Sequence, residues 1–304
     1  MDIQVVYNTP HEIPLGVPIA IYFYLTGLSA GSFVVSVISV IGGKKEFKPL
    51  GRIGAVAAPI LLMLAPLFLI VDLAQPMRFW HLFVFMNPQS PITYGSFLLT
   101  AYPINGLIYA WFLFRGDQKL AKLFGILGIP LAVCTHGYTG FILALGKGRA
   151  LWSTALMPTL FIVSAMVSGI GLMIVLASLR WRYFSKKVDP EARAMDRELI
   201  IRLGKILGAC AIFDLFLIGN DILVLLTSKT EELAVAHLIL SGRFAPLFVG
   251  VEIILGGLLP AFLVFFPATS KRVRYNFLAS CLTLVGILAM RIVVVIAGQS
   301  IPLH

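Results

Sequence analysis

The residues of this chain with the greatest chemical potential are ionisable side chains that lie within long apolar stretches. Burying a charge at bilayer depth is costly, and such residues commonly mark ligand sites or proton paths. Two tyrosines in the same kind of sequence add hydroxyl groups that could bind a polar ligand. The ionisable set is Asp72, His136, Asp214, Asp221, Glu252 and Arg291, and the tyrosines are Tyr22 and Tyr138.

The first four of these residues along the chain fall at a similar depth near one face of the predicted membrane domain. Tyr22, Asp72, His136 and Tyr138 lie in the outer halves of the first, second and fourth predicted spans. Polar groups at one depth on neighbouring helices suit a pocket for the polar head of a lipid-soluble ligand. Chance placement would give the same clustering in some proteins, so this pattern alone leaves the pocket as a hypothesis.

The remaining residues lie in the last three predicted spans. Glu252 and Arg291 are predicted at matching depth, roughly 11–12 Å from the outer ends of neighbouring helices. One interpretation is a buried ion pair that locks two helices together. The other is a proton path that also includes Asp214 and Asp221, and the sequence leaves both open.

The elements that carry these residues are predicted to be transmembrane helices. The chain has 304 residues, of which 59% are hydrophobic and 12% charged, with a mean hydropathy of +0.95. We therefore expect an all-α polytopic membrane protein without a soluble domain of ordinary size. Apolar runs predict eight spans, at 17–41, 51–75, 92–114, 120–145, 154–180, 203–227, 244–267 and 275–298.

The basic residues are distributed unevenly between the two predicted membrane faces. Of the 24 Lys and Arg residues, 18 fall in the loops on one side and five on the side of both termini. Because basic loops stay in the cytoplasm, both termini are predicted to lie outside it. The net charge of +10 then reports orientation, and nucleic acid is not an expected partner.

The first apolar segment lacks a signal-peptide pattern and is expected to remain as a span.

The longest basic loop divides the protein into two halves. This loop, at about 181–202, is predicted to contain a short surface helix. It separates a first four-helix bundle, residues 1–150, from a second, residues 151–304. No sequence repeat relates the two halves.

The sequence has too few suitably placed cysteine and histidine ligands for several classes of cofactor. Cys134, Cys210 and Cys281 each stand alone in apolar sequence, which does not fit a disulfide framework, an iron–sulfur site or a zinc site. Only His136 of the five histidines is securely within a span, whereas a transmembrane dihaem subunit usually needs paired axial histidines. Nucleotide-binding and nucleophile motifs are absent from the sequence. We therefore expect no haem, no metal and no redox centre in this protein.

The outer loop at 74–96 is unusually rich in aromatic residues and prolines. It contains Arg78, Trp80 and His81 between the second and third spans. An aromatic belt at the membrane interface would explain this composition. A docking surface for a water-soluble partner would explain it equally well.

Four motifs in order resemble the polysulfide reductase membrane-subunit family (NrfD/PsrC type). DLAQPMRFWHLF followed by NPQSPITYGSF resembles its Asp-Leu-x-x-Pro … Ser-Pro-x-x-x-Gly signature, and AIYFYLTGLSAGSF resembles its first helix. The Tyr-Thr-Gly and Arg-x-Leu-Trp features of YTGFILALGKGRALW resemble the region around its fourth and fifth spans. Near the end, Glu252 with GGLLP and Arg291 followed by Gly298-Gln299 also fit. The resemblance extends over nearly the whole sequence.

The resemblance implies a membrane subunit that exchanges electrons between menaquinone or ubiquinone and a partner in anaerobic respiration. Family members carry no haem and pair with a ferredoxin-like iron–sulfur subunit, which often serves a molybdopterin or multihaem catalytic subunit. These partners would lie on the non-cytoplasmic face of the inner membrane, above a quinone pocket formed among the first four helices.

The resemblance also implies roles for individual residues. Tyr138 becomes a quinone ligand and Asp72 a proton donor or acceptor, while Tyr22 stands where a relative may carry histidine. His136 remains an inference from this sequence alone. The alternative function is a secondary transporter or proton channel that uses Asp214, Glu252 and Arg291.

Overall fold

The computed structural model describes residues 15–43, 47–73, 75–183, 190–228 and 230–301, without the side chains of residues 192 and 230. Several sequence-based predictions concern residues outside these ranges. They are the N-terminal tail, the first residue of the 74–96 loop, the last residues of the C-terminal tail, and five lysines of the basic count: Lys44, Lys45, Lys186, Lys187 and Lys229.

The described residues form a bundle of helices without β-strands. The helices are α1 (Val17–Ile41), α2 (Lys48–Asp72), α3 (His81–Val84), α4 (Pro91–Arg115), α5 (Gln118–Ala144), α6 (Met157–Tyr183), α7 (Pro190–Thr227), α8 (Thr230–Leu240), α9 (Leu259–Phe265), α10 (Pro267–Ser270) and α11 (Val273–Gly298). A π-helical segment, Pro246–Leu258, leads directly into α9, and a 3-10 turn, Pro76–Arg78, precedes α3.

Eight helices are long and apolar enough to cross a membrane, which confirms the predicted all-α polytopic fold. The spans are α1, α2, α4, α5, α6, α7, the π-helical segment with α9, and α11. Their apolar runs of 20 residues or more match the thickness of the hydrocarbon core. The predicted span boundaries agree with these helices to within a few residues, apart from the start of the sixth span.

That sixth span begins much earlier than its apolar run. The helix predicted within 181–202 is present from residue 190 onward, but the prediction that it is short is wrong, because α7 is one continuous helix from Pro190 to Thr227. Pro190 starts the helix, and the sequence from Glu191 to Leu203 contains neither glycine nor proline. Hydropathy detects where a helix enters the apolar layer, whereas helix propensity decides where it begins.

Helix α1 lies at the centre of the bundle and contacts α2, α5, α6 and α11. Its crossing with α6 is close because Gly31 faces Gly169, and a Cβ atom on Gly31 would lie 2.8 Å from the Gly169 Cα atom. Glycine is needed on both helices for this approach. Gly31 therefore explains part of the first-helix motif through packing.

Helix α6 contacts α1 and α5 as well as α7 and α11. It therefore joins the helices of the first half to those of the second. The division into bundles at 1–150 and 151–304 stays a prediction about organisation.

At one end of the bundle, residues of the Arg-x-Leu-Trp and Gly-Gln motifs join neighbouring segments through hydrogen bonds. Trp152 donates its indole N–H to the Val294 carbonyl at 2.7 Å. Arg149 donates to the Gln299 carbonyl at 2.8 Å, and the Gln299 side chain bonds both backbone groups of Leu15 at 2.6 and 2.9 Å. The described backbone thus enters α1 and leaves α11 at the same end of the bundle. This end is called the outer end below.

Candidate functional site

Two buried polar residues, Arg291 and His136, form a hydrogen-bonded pair in the interior of the bundle. Arg291 of α11 donates to Nε2 of His136 on α5 at 3.2 Å and to the Ser164 hydroxyl of α6. Its guanidinium carbon lies 3.8 Å from the centre of the Phe161 ring, a cation–π arrangement. Arg291 is fully buried and His136 is 1% exposed. The sequence placed these two residues in separate groups, and the fold brings them together.

The partners of His136 determine which of its ring nitrogens carries the proton. Arginine has only donors, so Nε2 of His136 must accept. The proton then lies on Nδ1, which is 3.3 Å from the Thr26 hydroxyl oxygen. Thr26 can accept there because its own proton is directed to the backbone carbonyls of α1, 3.0 Å away. Both nitrogens of the imidazole are therefore occupied within the protein.

Two carboxylates lie within electrostatic range of Arg291 but do not pair with it directly. Asp214 and Glu252 are 4% and 5% exposed, and both interact with the guanidinium charge. Among the described residues, Asp214 Oδ1, Glu252 Oε2 and Arg291 Nε and Nη1 have no hydrogen-bond partner. The predicted ion pair of Glu252 with Arg291 is thus not a contact pair in this conformation. The two alternatives, a buried ion pair and a proton path, remain predictions.

Asp221 lies further toward the outer end, within interaction distance of the Thr154 side chain. Together with Glu252 it lines a small cavity of about 40 Å³ whose other walls are mainly aliphatic. A cavity of this size has room for a few water molecules. It is far smaller than the roughly 300–1,000 Å³ of a small-molecule pocket.

The two predicted tyrosines lie on neighbouring helices near the outer end. By helix rise, Tyr22 is about 7 Å along α1 from its start, and Tyr138 is about 9 Å along α5 from its end. Tyr22 is buried, whereas Tyr138 is half-buried and packs its ring on Gly95 of α4. The phenol groups are close enough to interact electrostatically. Neither hydroxyl has a hydrogen-bond partner in the part of the protein that the structure describes.

Asp72 has a structural contact that the sequence did not reveal. Its two carboxylate oxygens lie 3.2 and 3.3 Å from the backbone nitrogen of Gly16, which directly precedes α1. A carboxylate at this position accepts a hydrogen bond from a backbone N–H, and its negative charge is stabilised by the helix dipole. Asp72 therefore joins the end of α2 to the start of α1, one turn and a half before Tyr22.

The loop between α2 and α4 is exposed beyond the ends of the spans. Trp80 packs edge-on against His81 at 4.0 Å between ring centres, and Arg78 closes the preceding 3-10 turn. Several large apolar side chains of this loop are exposed, Met77 by 87% and Phe85 by 71%. This is more apolar surface than a solvated loop normally carries.

Sequence reasoning missed the residues that connect the predicted ones. Thr26, Phe161 and Ser164 hold His136 and Arg291, yet none of them is ionisable. The position of Thr26 four residues after Tyr22, on the same helix face, was the available signal. Among the described residues, no three His, Cys, Asp or Glu side chains form a group that could hold a metal ion.

Comparison with known proteins gives consistent similarities over the whole sequence. Residues 5–302 match the family described as Polysulphide reductase, NrfD. The C subunit of selenate reductase from Mesobacillus selenatarsenatis is 28% identical, over 94% of this chain and 74% of that protein. The Hdr-like menaquinol oxidoreductase integral membrane subunit of Archaeoglobus fulgidus is 28% identical, over 96% and 72%. The C component of polysulfide reductase from Wolinella succinogenes is 29% identical, over 93% of both proteins.

Proposed function

The chain belongs to the polysulphide reductase NrfD family, and on that basis we propose that it is the quinone-linked membrane subunit of a respiratory oxidoreductase complex. It is an integral, multi-pass membrane protein, as its eight spans and its family indicate. The name of the Archaeoglobus relative, a menaquinol oxidoreductase subunit, supports menaquinol as the substrate class.

The observation that carries the proposal is the pair of unpartnered phenol hydroxyls of Tyr22 and Tyr138. Hydroxyl donors suit the carbonyl oxygens of a quinone head, and because Tyr138 is only half-buried, we propose that the head enters beside it from the lipid. A bound quinone supplies two-electron chemistry coupled to two protons. The role of the tyrosines is to bind and orient its head near the outer end of the bundle.

Proton transfer to and from this site is assigned to Asp72, which lies beside the start of α1. Its carboxylate keeps lone pairs beyond those facing the Gly16 N–H, so it can hold a proton at Oδ1 or Oδ2. His136 is proposed to support the pocket from behind, because both of its ring nitrogens already have partners.

The exposed apolar loop that contains Arg78, Trp80 and His81 is proposed as the docking surface for the partner. A ferredoxin-like iron–sulfur subunit, followed by a molybdopterin or multihaem catalytic subunit, would exchange electrons with the quinone there. The names of the selenate and polysulfide reductase relatives, each given to one component of a reductase, support assembly into a multi-subunit complex. The distribution of basic residues supports a location in the inner membrane with both termini and these partners on the periplasmic face.

The proposal is tested by quinone-linked turnover of the assembled complex with Tyr138→Phe and with Asp72→Asn. Tyr138→Phe removes a hydroxyl group and Asp72→Asn removes an ionisable carboxylate, while each variant keeps the shape of the side chain and asparagine can still accept the Gly16 hydrogen bond. We expect turnover to fall at least threefold for Tyr138→Phe, from the loss of one hydrogen bond, and to fall for Asp72→Asn, with complex assembly unchanged. Tyr183→Phe is the matched control, because Tyr183 is exposed at the end of α6, at the opposite end of the bundle. Wild-type rates in both variants with intact complex would refute the site.

A proton path through the second half is a second candidate function. The cavity that Asp221 and Glu252 line, with Asp214 and Arg291 nearby, favours it. A free-standing transporter or proton channel built on these residues would purify without iron–sulfur or molybdenum-containing partners. Co-purification of such partners instead supports the reductase subunit.

A further inference from the structure

A basic groove lies at the end of the bundle opposite the tyrosines. It has a volume of about 490 Å³ and is formed by the end of α6, the first turns of α7 and the turn that leads into α11. Four cationic side chains line it, namely Arg197, Lys271, Arg272 and Arg274. No acidic residue is found in its described lining. The proposed quinone function uses none of these residues.

Among the described residues, no acidic side chain lines the groove, and one of its cations is held in place by a hydrogen bond. Arg197 of α7 donates to the Lys271 carbonyl at 3.2 Å, which fixes it against the turn before α11. The acidic residues beside Arg197 have other partners: Asp196 lies 3.7 Å from Arg180, and Glu198 lies 2.6 Å from Arg202. The groove therefore keeps an excess of positive charge.

The start of α11 adds backbone donors to this charge. Arg272 precedes the helix without capping it through its side chain, and the N–H groups of Val273 and Arg274 have no backbone acceptor among the described residues. The first turn of a 26-residue helix is a favourable place for an anion, which the four cations reinforce.

The remaining walls of the groove suit a lipid. Trp181 and Tyr275 line it near the end of α6 and the start of α11, and aromatic residues at the ends of membrane spans commonly lie among lipid headgroups. Leu278, one turn further along α11, is 46% exposed and leads onto the membrane-facing surface. The volume of about 490 Å³ greatly exceeds what a single inorganic ion needs.

We propose that this groove binds an anionic phospholipid, with its phosphodiester between Arg197, Lys271 and Arg274 and one acyl chain along Leu278. Basic pockets between transmembrane helices are suited to such headgroups. The bound lipid would hold α7 and α11 together at this end. The groove lies on the side of the basic loops, where the sequence predicts the cytoplasmic leaflet.

The turn between α4 and α5 provides a matched control at the same end of the bundle. It also carries three exposed cations, Arg115, Lys119 and Lys122. There, however, the Asp117 carboxylate already caps α5 by accepting from two backbone N–H groups at 3.1 Å. Removal of three charges at this turn therefore changes the net charge equally without touching the groove.

The experiment is lipid titration of the delipidated full-length protein, followed by native mass spectrometry. Phosphatidylglycerol is compared with zwitterionic phosphatidylcholine for the wild type, for Arg197→Gln/Lys271→Gln/Arg274→Gln, and for Arg115→Gln/Lys119→Gln/Lys122→Gln. We expect tight, selective binding of one phosphatidylglycerol to the wild type and to the control, and about 100-fold weaker binding to the groove variant.

Three outcomes would overturn the proposal. The first is equal binding by the groove variant and the control. The second is wild-type affinity for phosphatidylcholine equal to that for phosphatidylglycerol, which decides the matter even if the groove variant does not fold. The third is complete displacement of the lipid by millimolar inorganic phosphate, which would identify a free-anion site instead.

Discussion

At the scale of residues, Arg291 of α11 is one point of contact between the last helix and helices α5 and α6. It is fully buried, bonds Ser164 and His136, and lies over Phe161. Its Nε and Nη1 groups lack hydrogen-bond partners among the described residues, while Asp214 and Glu252 supply negative charge at longer range. The planar guanidinium stacks on the Phe161 ring, so its shape contributes to its position as much as its charge does.

We predict that Arg291→Met destabilises the protein strongly. The change removes the hydrogen bonds to Ser164 and His136, which costs about 1–3 kcal/mol for each buried partner left unsatisfied. It also takes away the cation that interacts at longer range with Asp214 and Glu252. Arg291→Lys should recover little of the lost stability, because the point charge of lysine cannot bridge Ser164 and His136 while stacking on Phe161. Thermal unfolding in detergent measures both effects. Arg182→Met, at an exposed arginine of α6, is the control, and an unchanged midpoint for Arg291→Met would contradict this role.

The sequence predicted the types and depths of the site residues but not their contacts. His136 and Arg291 were found separately because each breaks an apolar run. Their pairing depends on how α5, α6 and α11 pack, and residues 155 positions apart carry no local signal of that packing. The cap that Asp72 forms on Gly16 was missed for the same reason.

At the scale of elements, close helix crossings replace the hydrophobic effect as the source of packing inside the membrane. The crossing of α1 and α6 at Gly31 and Gly169 brings the two backbones into contact. The π-helical segment and α11 meet in the same way at Gly256 and Gly286. Small residues allow van der Waals packing that lipid tails cannot match.

We predict that Gly31→Ala lowers stability by about 1–3 kcal/mol, as an added methyl group in a tightly packed interior does. The new Cβ atom would lie 2.8 Å from the Gly169 Cα atom, and backbone cannot move aside as a flexible side chain can. Gly219→Ala on α7 is the control, since its Cβ atom would meet nothing within 4 Å. Unfolding in detergent should separate the two variants, and equal midpoints would show that the crossing has room to spare.

The helices themselves were largely predictable because lipid imposes a simple length and hydropathy rule. The features of the helices that were not predicted depend on weaker signals in the sequence. Helix α7 extends more than three turns before its predicted span. Helix α8 (Thr230–Leu240) is too short to cross the membrane, and the span that contains Glu252 begins as a π-helix. Hydropathy averages over a window and does not distinguish these cases.

At the scale of the whole molecule, the two ends of the bundle have different chemistry. The outer end holds Tyr22, Tyr138, the cap formed by Asp72 and the exposed apolar loop. The opposite end holds the basic loops and the groove beside α11. This polarity fits a subunit that meets quinone and partner at one face and is anchored by anionic lipid at the other.

The central claim is that Tyr22 and Tyr138 bind a quinone, and its most direct test is the amount of quinone that stays with the purified protein. The wild type, Tyr22→Phe/Tyr138→Phe and the control Tyr94→Phe/Tyr183→Phe are purified identically from quinone-containing membranes, extracted, and assayed for quinone per mole of protein. Both control tyrosines are exposed. We predict near-stoichiometric quinone in the wild type and the control, and at least a threefold loss in the Tyr22→Phe/Tyr138→Phe variant. Equal quinone in all three, or none in the wild type, would contradict the account.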